Sequence, residues 1–299
     1  MLFTLGLFSS FSVQAVEGKR NQSRGEVYLQ SGISKQKVME GERVIYEVRL
    51  VTNNPDIAGI ELVKAPVFGS LPYSHVAGDT SFREFIEDGK VFYSLVIDRY
   101  FIGAEEKGKY SVGGGTYRIG LKRPERVNDP FWGPSIVNRM EVVELEAPVR
   151  ELKVASLPKN SRPELFSGAI GEFSISVFPP EKDILAGEEN IIVIAISGKG
   201  DLTNAPAPDV KGGFREGLHF RSMTDDREHF ITKGELGSEM KLECVFTADK
   251  PGKYVILPIK FCYYDSNRDK YVILETDPIE IEVKESKAIR SAPPVYHQI

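Results

Sequence analysis

The chain has 299 residues, enough for two domains, with 41% hydrophobic and 27% charged residues, a globular balance rather than that of a disordered chain. A formal net charge of −5 removes the basic footprint expected of a nucleic-acid binder, and with only 4 His and 2 Cys the sequence supports neither a Cys-rich zinc module nor a multi-metal site. Abundant Phe and Tyr, with 27 Gly and 18 Pro, suit many short strands joined by many turns.

Residues 1–15 are apolar and uncharged and end in Val13-Gln14-Ala15, a small-residue cleavage site. The stretch is shorter than the roughly 20 residues of a spanning helix. It is expected to be a signal peptide, which would make the mature protein extracytoplasmic. No later apolar run is long enough to span a bilayer.

Three collinear matches reveal an internal repeat. Val38-Met39-Glu40-Gly41-Glu42 is echoed by Ile184-Leu185-Ala186-Gly187-Glu188. Glu61-Leu62-Val63-Lys64-Ala65-Pro66 is echoed by Asp201-Leu202-Thr203-Asn204-Ala205-Pro206, and Gly108-Lys109-Tyr110 by Gly252-Lys253-Tyr254. Constant order and near-constant spacing predict two copies of one domain.

The local pattern within each copy is strand. Lys241-Leu242-Glu243-Cys244-Val245-Phe246 and Ile279-Glu280-Ile281-Glu282-Val283 alternate with period two. Ile191–Ile196 is apolar throughout and β-branched, as in a central strand covered on both faces. Helical periodicity is absent from long windows. The expected fold class is all-β, as two tandem immunoglobulin-like β-sandwich domains. The expected divisions are a signal peptide at 1–15, a first sandwich at 25–150, a Pro-containing linker at 151–163, a second sandwich at 164–284 and a flexible tail at 285–299. Tyr110 and Tyr254, each just after a glycine turn, are placed like tyrosine corners, in which the hydroxyl ties the chain back to upstream backbone. The alternative is that each is an ordinary strand residue.

Several residues carry a family resemblance. They are Leu157-Pro158, Pro163, Phe166-Ser167-Gly168-Ala169-Ile170-Gly171-Glu172-Phe173 and Ile196-Ser197-Gly198-Lys199-Gly200-Asp201-Leu202. Pro258-Ile259-Lys260-Phe261-Cys262-Tyr263-Tyr264-Asp265 and Asp277-Pro278-Ile279 complete the set. Together they resemble the BatD family of bacterial aerotolerance operons, through the second repeat and more loosely the first. The resemblance implies an exported protein with immunoglobulin-like modules facing the periplasm, in an envelope assembly tied to stress or oxygen tolerance. Its implied partners are envelope proteins, among them von Willebrand A-domain and MoxR-associated membrane proteins. Members of the family usually end in a membrane helix, and this sequence reaches Ile299 without one. The resemblance brings no catalytic residues with it.

The candidate chemistry is sparse. Cys244 shares parity with the inward Leu242 and Phe246, and Cys262 lies toward the end of the next strand. In an immunoglobulin-like order these strands belong to opposite sheets. A disulfide across the core and two buried free thiols are both open. Asp225-Asp226-Arg227-Glu228-His229 reads as a solvated strand edge, and Asp265-Ser266-Asn267-Arg268-Asp269 as a polar hairpin turn. Gly113-Gly114-Gly115 lacks the Lys-Ser/Thr of a phosphate loop and reads as a kink or bulge in a strand. No catalytic residue, cofactor or metal site is expected.

The most unusual segment is Asn128-Asp129-Pro130-Phe131-Trp132-Gly133-Pro134, which holds the sole Trp. Phe131 and Trp132 form either a plug under their own domain or a protein-binding loop. The leading expectation is a non-enzymatic protein-interaction module. A carbohydrate- or surface-binding sandwich is the alternative, and it would need a row of solvent-facing aromatics on one sheet. A hydrolase on the same scaffold would need convergent carboxylates or a Ser/His pair in a pocket.

Overall fold

The computed structural model describes residues 14–17, 27–129, 131, 133–180 and 182–286. Most of the expected signal peptide and nearly all of the expected tail lie outside these residues. The chain divides into two compact units, with the boundary at Leu157 and Pro158 and with Thr232–Glu235 counted to the first.

The first unit contains β1 (Gln14–Glu17), β2 (Val27–Ile33), β3 (Lys37–Met39), β4 (Arg43–Thr52), β5 (Ile57–Lys64) and β6 (Tyr73–Val76). It continues with β7 (Arg83–Glu87), β8 (Lys90–Gly103), β9 (Gly108–Gly113), β10 (Thr116–Asp129), β11 (Gly133–Glu146) and β12 (Val149–Ala155). Its main sheet runs β1-β2-β4-β8-β6, with β7 also on β8. Two three-stranded sheets run β11-β10-β5 and β3-β12-β9. The core lies where these sheets face one another: Val44, Tyr46, Val48 and Leu50 of β4 join Tyr117 and Ile119 of β10 and Leu152 and Val154 of β12. The expected cleavage point after Ala15 falls within β1, which pairs antiparallel with β2.

The second unit contains β13 (Phe166–Phe178), β14 (Ile184–Leu185), β15 (Asn190–Asp201), β16 (Leu218–Thr232) and β17 (Glu235–Ala248). It ends with β18 (Gly252–Ile256), β19 (Lys260–Asp265), β20 (Lys270–Glu275) and β21 (Ile279–Lys284). A six-stranded sheet, β16-β17-β15-β13-β19-β20, faces a three-stranded sheet, β14-β21-β18. Ile192, Ile194, Leu242, Cys244, Phe246 and Phe261 from the first meet Ile256, Ile281 and Val283 from the second in one core.

The repeat read from sequence is a repeat of hydrogen bonds. Gly41 N–H donates to the Ala104 carbonyl at 2.7 Å, and Gly187 N–H to the Ala248 carbonyl at 2.8 Å. Glu40 N–H reaches the Ala155 carbonyl, and Ala186 N–H the Lys284 carbonyl. Tyr110 donates its hydroxyl to the Glu106 carbonyl at 2.9 Å, and Tyr254 does the same to Lys250 at 2.9 Å. Both therefore tie the chain back four positions upstream, as a tyrosine corner does. In each unit the last strand pairs parallel with an early one, β12 with β3 and β21 with β14.

Three expectations are corrected. Glu151–Ala155 is not linker. It belongs to β12, whose burial alternates strictly because Arg150, Leu152 and Val154 point into the core. Ile191–Ile196 lies in a central strand, but it is covered fully on one face only: Ile191 is 47% exposed, while Ile192, Ile194 and Ile196 are buried. The Gly113–Gly115 run is more than a kink within a strand. All three are buried with φ of 101°, 74° and 96°, and they carry the chain from the β3-β12-β9 sheet into the β11-β10-β5 sheet. A Cβ on Gly113 would lie 2.5 Å from the Tyr46 hydroxyl oxygen, so a side chain there would meet a core ring as well as an unfavourable backbone conformation.

Candidate interaction surface and a buried polar cluster

The β10–β11 hairpin presents the loop singled out from sequence. Its ladder is continuous from Thr116 opposite Glu146 to Asp129 opposite Gly133, with Phe131 at the tip. Gly133 takes φ of 76° to close the turn. Phe131 is 90% exposed, so it is no plug under its own domain. Trp132 lies outside the described residues. The root of the hairpin is held by Tyr117, Ile119, Leu121, Val143 and Leu145, all buried. A shallow concavity on the hairpin is lined by Asn54, Arg123, Pro124, Glu125, Arg139, Met140 and Glu141. Its charges are mutually paired, Arg123 with Glu141 at 2.5 Å and Arg139 with Glu125 at 3.2 Å.

Sequence reasoning missed a second feature. Asp98, on β8 and 4% exposed, is an acceptor for three side chains. Its Oδ2 accepts hydrogen bonds from the Tyr100 and Tyr117 hydroxyls, both at 2.8 Å, and its Oδ1 lies 2.6 Å from His75 Nε2. Burial and then the adjoining Asp98 charge push both phenols above their ordinary range, so each stays protonated as a donor. The His75 side chain is 60% exposed on β6. Asp98 joins three strands, β6, β8 and β10. Among the described residues no group of three His, Cys, Asp or Glu converges as a metal site.

The remaining candidates have structural partners. Cys244 and Cys262 are buried free thiols. The bridge considered from sequence is not formed, because both cysteines lie in the same sheet with β15 and β13 between their strands. Three strand spacings separate them by about 14 Å, against roughly 4.4–6.8 Å between Cα atoms in a disulfide. Burial pushes the Cys244 thiol up to about 11 and raises Cys262 as well. Neither thiol is therefore expected to react with a thiol reagent at neutral pH until the protein unfolds, and reductant should leave the melting temperature unchanged. Rapid labelling of the native protein would contradict this burial.

Arg227, within the acidic stretch on β16, pins the 202–205 loop. Its guanidinium donates to the carbonyls of Leu202, Thr203 and Ala205 at 2.7, 2.9 and 2.6 Å and is held by Asp225. Asp265 is a turn former: its Oδ1 accepts from the backbone N–H of Asn267 and of Arg268, each at 3.0 Å, between β19 and β20. The large exposed aromatics among the described residues, Tyr73, Phe131, Phe178 and Phe230, sit on different elements and make no row.

Fold and site together define an all-β protein of several sheets with a projecting hairpin. Residues 179–283, within the second unit, match the family described as the BatD DUF11-like domain, the family that the sequence motifs resemble. No curated protein matches the chain. Among solved structures, an endo-fucoidan hydrolase variant from glycoside hydrolase family 107 aligns with 92% of this chain at 9% identity and a TM-score of 0.17. This chain spans only 39% of that protein's length, and a likeness this low carries no argument.

Proposed function

We propose that the chain is a non-enzymatic, exported interaction module of a bacterial envelope assembly, built from two immunoglobulin-like sandwiches and binding partners through the β10–β11 hairpin tip. One observation carries the reading: Phe131, 90% exposed, sits at the end of a hairpin whose root is buried. Pro130 and Pro134 flank the two aromatics in sequence and restrict the loop, which lowers the entropy lost on docking. Aromatics placed this way are enriched among binding hot spots. The BatD domain supports a periplasmic setting and partners among von Willebrand A-domain and MoxR-associated membrane proteins, in a process linked to aerotolerance or stress.

Affinity capture from native membranes, read by mass spectrometry, tests this. Recovery of von Willebrand A-domain proteins is expected, and Phe131→Ala with Trp132→Ala should reduce it. Phe131→Ala alone should cost under about 0.5 kcal/mol of stability, since truncating this exposed side chain removes little packing. Undiminished capture would refute the binding role, and so would a steep fall in melting temperature. N-terminal sequencing of the same extracytoplasmic material should begin at Val16, and an intact leader would count against cleavage.

A further inference from the structure

The β10–β11 ladder outruns its support. Pairing of β10 with β5 ends at Leu121 opposite Ile57, whereas pairing with β11 continues to Asp129. From Pro134 to Met140 every β11 residue is exposed. A two-stranded ribbon without a third strand is marginal in water, which makes an added strand favourable here.

The hydrogen-bond parity of the free edge can be deduced. Lys122 N–H donates to the Asp56 carbonyl at 3.0 Å, and the Lys122 carbonyl accepts Asn54 Nδ2 at 3.1 Å. The backbone groups of Lys122 therefore point toward the β5 side. Backbone groups alternate sides along an antiparallel strand, so the β10 residues hydrogen-bonded to β11 are the odd-numbered ones. Pro124, which has no N–H, lies opposite Asn138 and obeys this parity. It follows that Ile136, Asn138, Met140 and Val142 turn their N–H and C=O groups away from β10. They face an edge that no other described strand pairs, because β11 ends its sheet. Their side chains share one face, where Ile136, Met140 and Val142 are 67%, 66% and 56% exposed.

We propose that this edge is the two-fold interface of a homodimer, in which β11 pairs antiparallel with β11 of a second copy about Asn138. The strand is self-complementary in that register. Ile136 faces the partner's Met140, and Met140 the partner's Ile136. Asn138 meets its own counterpart, Arg139 faces the partner's Val137 and Glu141 the partner's Ser135, so no like charges are directly opposed. The three central pairs exchange about six backbone hydrogen bonds. Two neighbouring registers are poorer. Centring on Arg139 opposes two guanidinium groups, and centring on Met140 sets Ile136 against the partner's Glu144. The inference stands apart from the partner-binding reading, because it concerns the strand edge and is read by mass rather than by capture.

The test uses the full chain. Light scattering should give a dimer, reverting to a monomer in Ile136→Lys with Met140→Lys, both exposed positions whose change leaves the melting temperature nearly constant. In the proposed register, Cα atoms at Asn138 are about 5.5 Å apart, within disulfide reach. Oxidised Asn138→Cys should therefore run as a covalent dimer on a non-reducing gel. Met140→Cys, opposite Ile136, should not, and the unmodified chain with its buried thiols should not. A monomer up to the solubility limit would overturn the proposal. Cross-linking at Met140→Cys in place of Asn138→Cys would overturn it too, as would an edge protected from hydrogen exchange only when another envelope protein is added.

Discussion

Replacing Asp98 by Leu is expected to destabilise the first unit by roughly 3–5 kcal/mol, because two buried phenols lose their acceptor at once and each stranded hydroxyl costs about 1–3 kcal/mol. Asp98 accepts from both Tyr100 and Tyr117, and all three side chains are buried. Asp98→Asn keeps the shape and one acceptor oxygen and should cost about half as much. Converting all three groups together, Asp98→Leu with Tyr100→Phe and Tyr117→Phe, should recover much of the loss, since removing both sides of a buried hydrogen bond is far milder than removing one. Denaturant titration measures all three. If Asp98→Leu fell within about 1 kcal/mol of the parent, the cluster would not be holding β6, β8 and β10 together.

Gly198→Ala should be at least as damaging to the second unit, at roughly 3 kcal/mol or more. Gly198 pairs with Phe173 across β15 and β13. A Cβ there would stand 2.1 Å from the Glu172 carbonyl oxygen and 2.8 Å from the Phe173 Cα. Both are backbone atoms in the middle of a ladder, so no rotamer change relieves the contact; the two strands must part. Gly59→Ala is the matched control, because an added Cβ meets nothing within 4 Å and φ is not in the left-handed region. It should stay within about 0.5 kcal/mol. A tolerant Gly198→Ala would mean that β13 and β15 approach less closely than described.

These two sites differ in how far the sequence disclosed them. Gly198 lies in the Ser197-Gly198-Lys199-Gly200 segment that carried the family resemblance, and the physical reason for that motif is close backbone approach. The repeat was legible for a similar reason: turns such as Gly41 and Gly187 must be built from particular residue types, so the types recur. Tyr110 and Tyr254 were legible because their partners lie four positions away. Asp98 was not. Its three partners come from β6, β8 and β10, and nothing local marks an acid in a strand as a shared acceptor.

The corrected expectations share this cause. Parity placed Cys244 inward, and it is in the core, but sheet membership depends on how distant strands are ordered. That ordering put β17 and β19 in one sheet and removed the bridge. Glu151–Ala155 carries two charged residues among five, and only its pairing with β9 and β3 makes it part of the first unit. The length of the β10–β11 hairpin was hidden because its outer half is exposed on both faces, which erases the alternation that a half-buried strand writes into its sequence.

The parallel closure of each unit has a consequence for the order in which the chain becomes available. Lys37 must find Lys153 in the first unit, and Ile184 must find Val283 in the second. Such distant contacts are entropically late, and the early strand waits with its edge open until the last one arrives. A chain delivered from its N-terminus, whether from the ribosome or through a membrane, cannot finish the first unit before Ala155 has emerged. The local β10–β11 hairpin, flanked by β5, is complete once Glu146 has emerged and can form before that. Delivery therefore passes through a stage in which the hairpin exists while β3 and β9 still lack the strand that joins them, and this is the stage most in need of protection from aggregation.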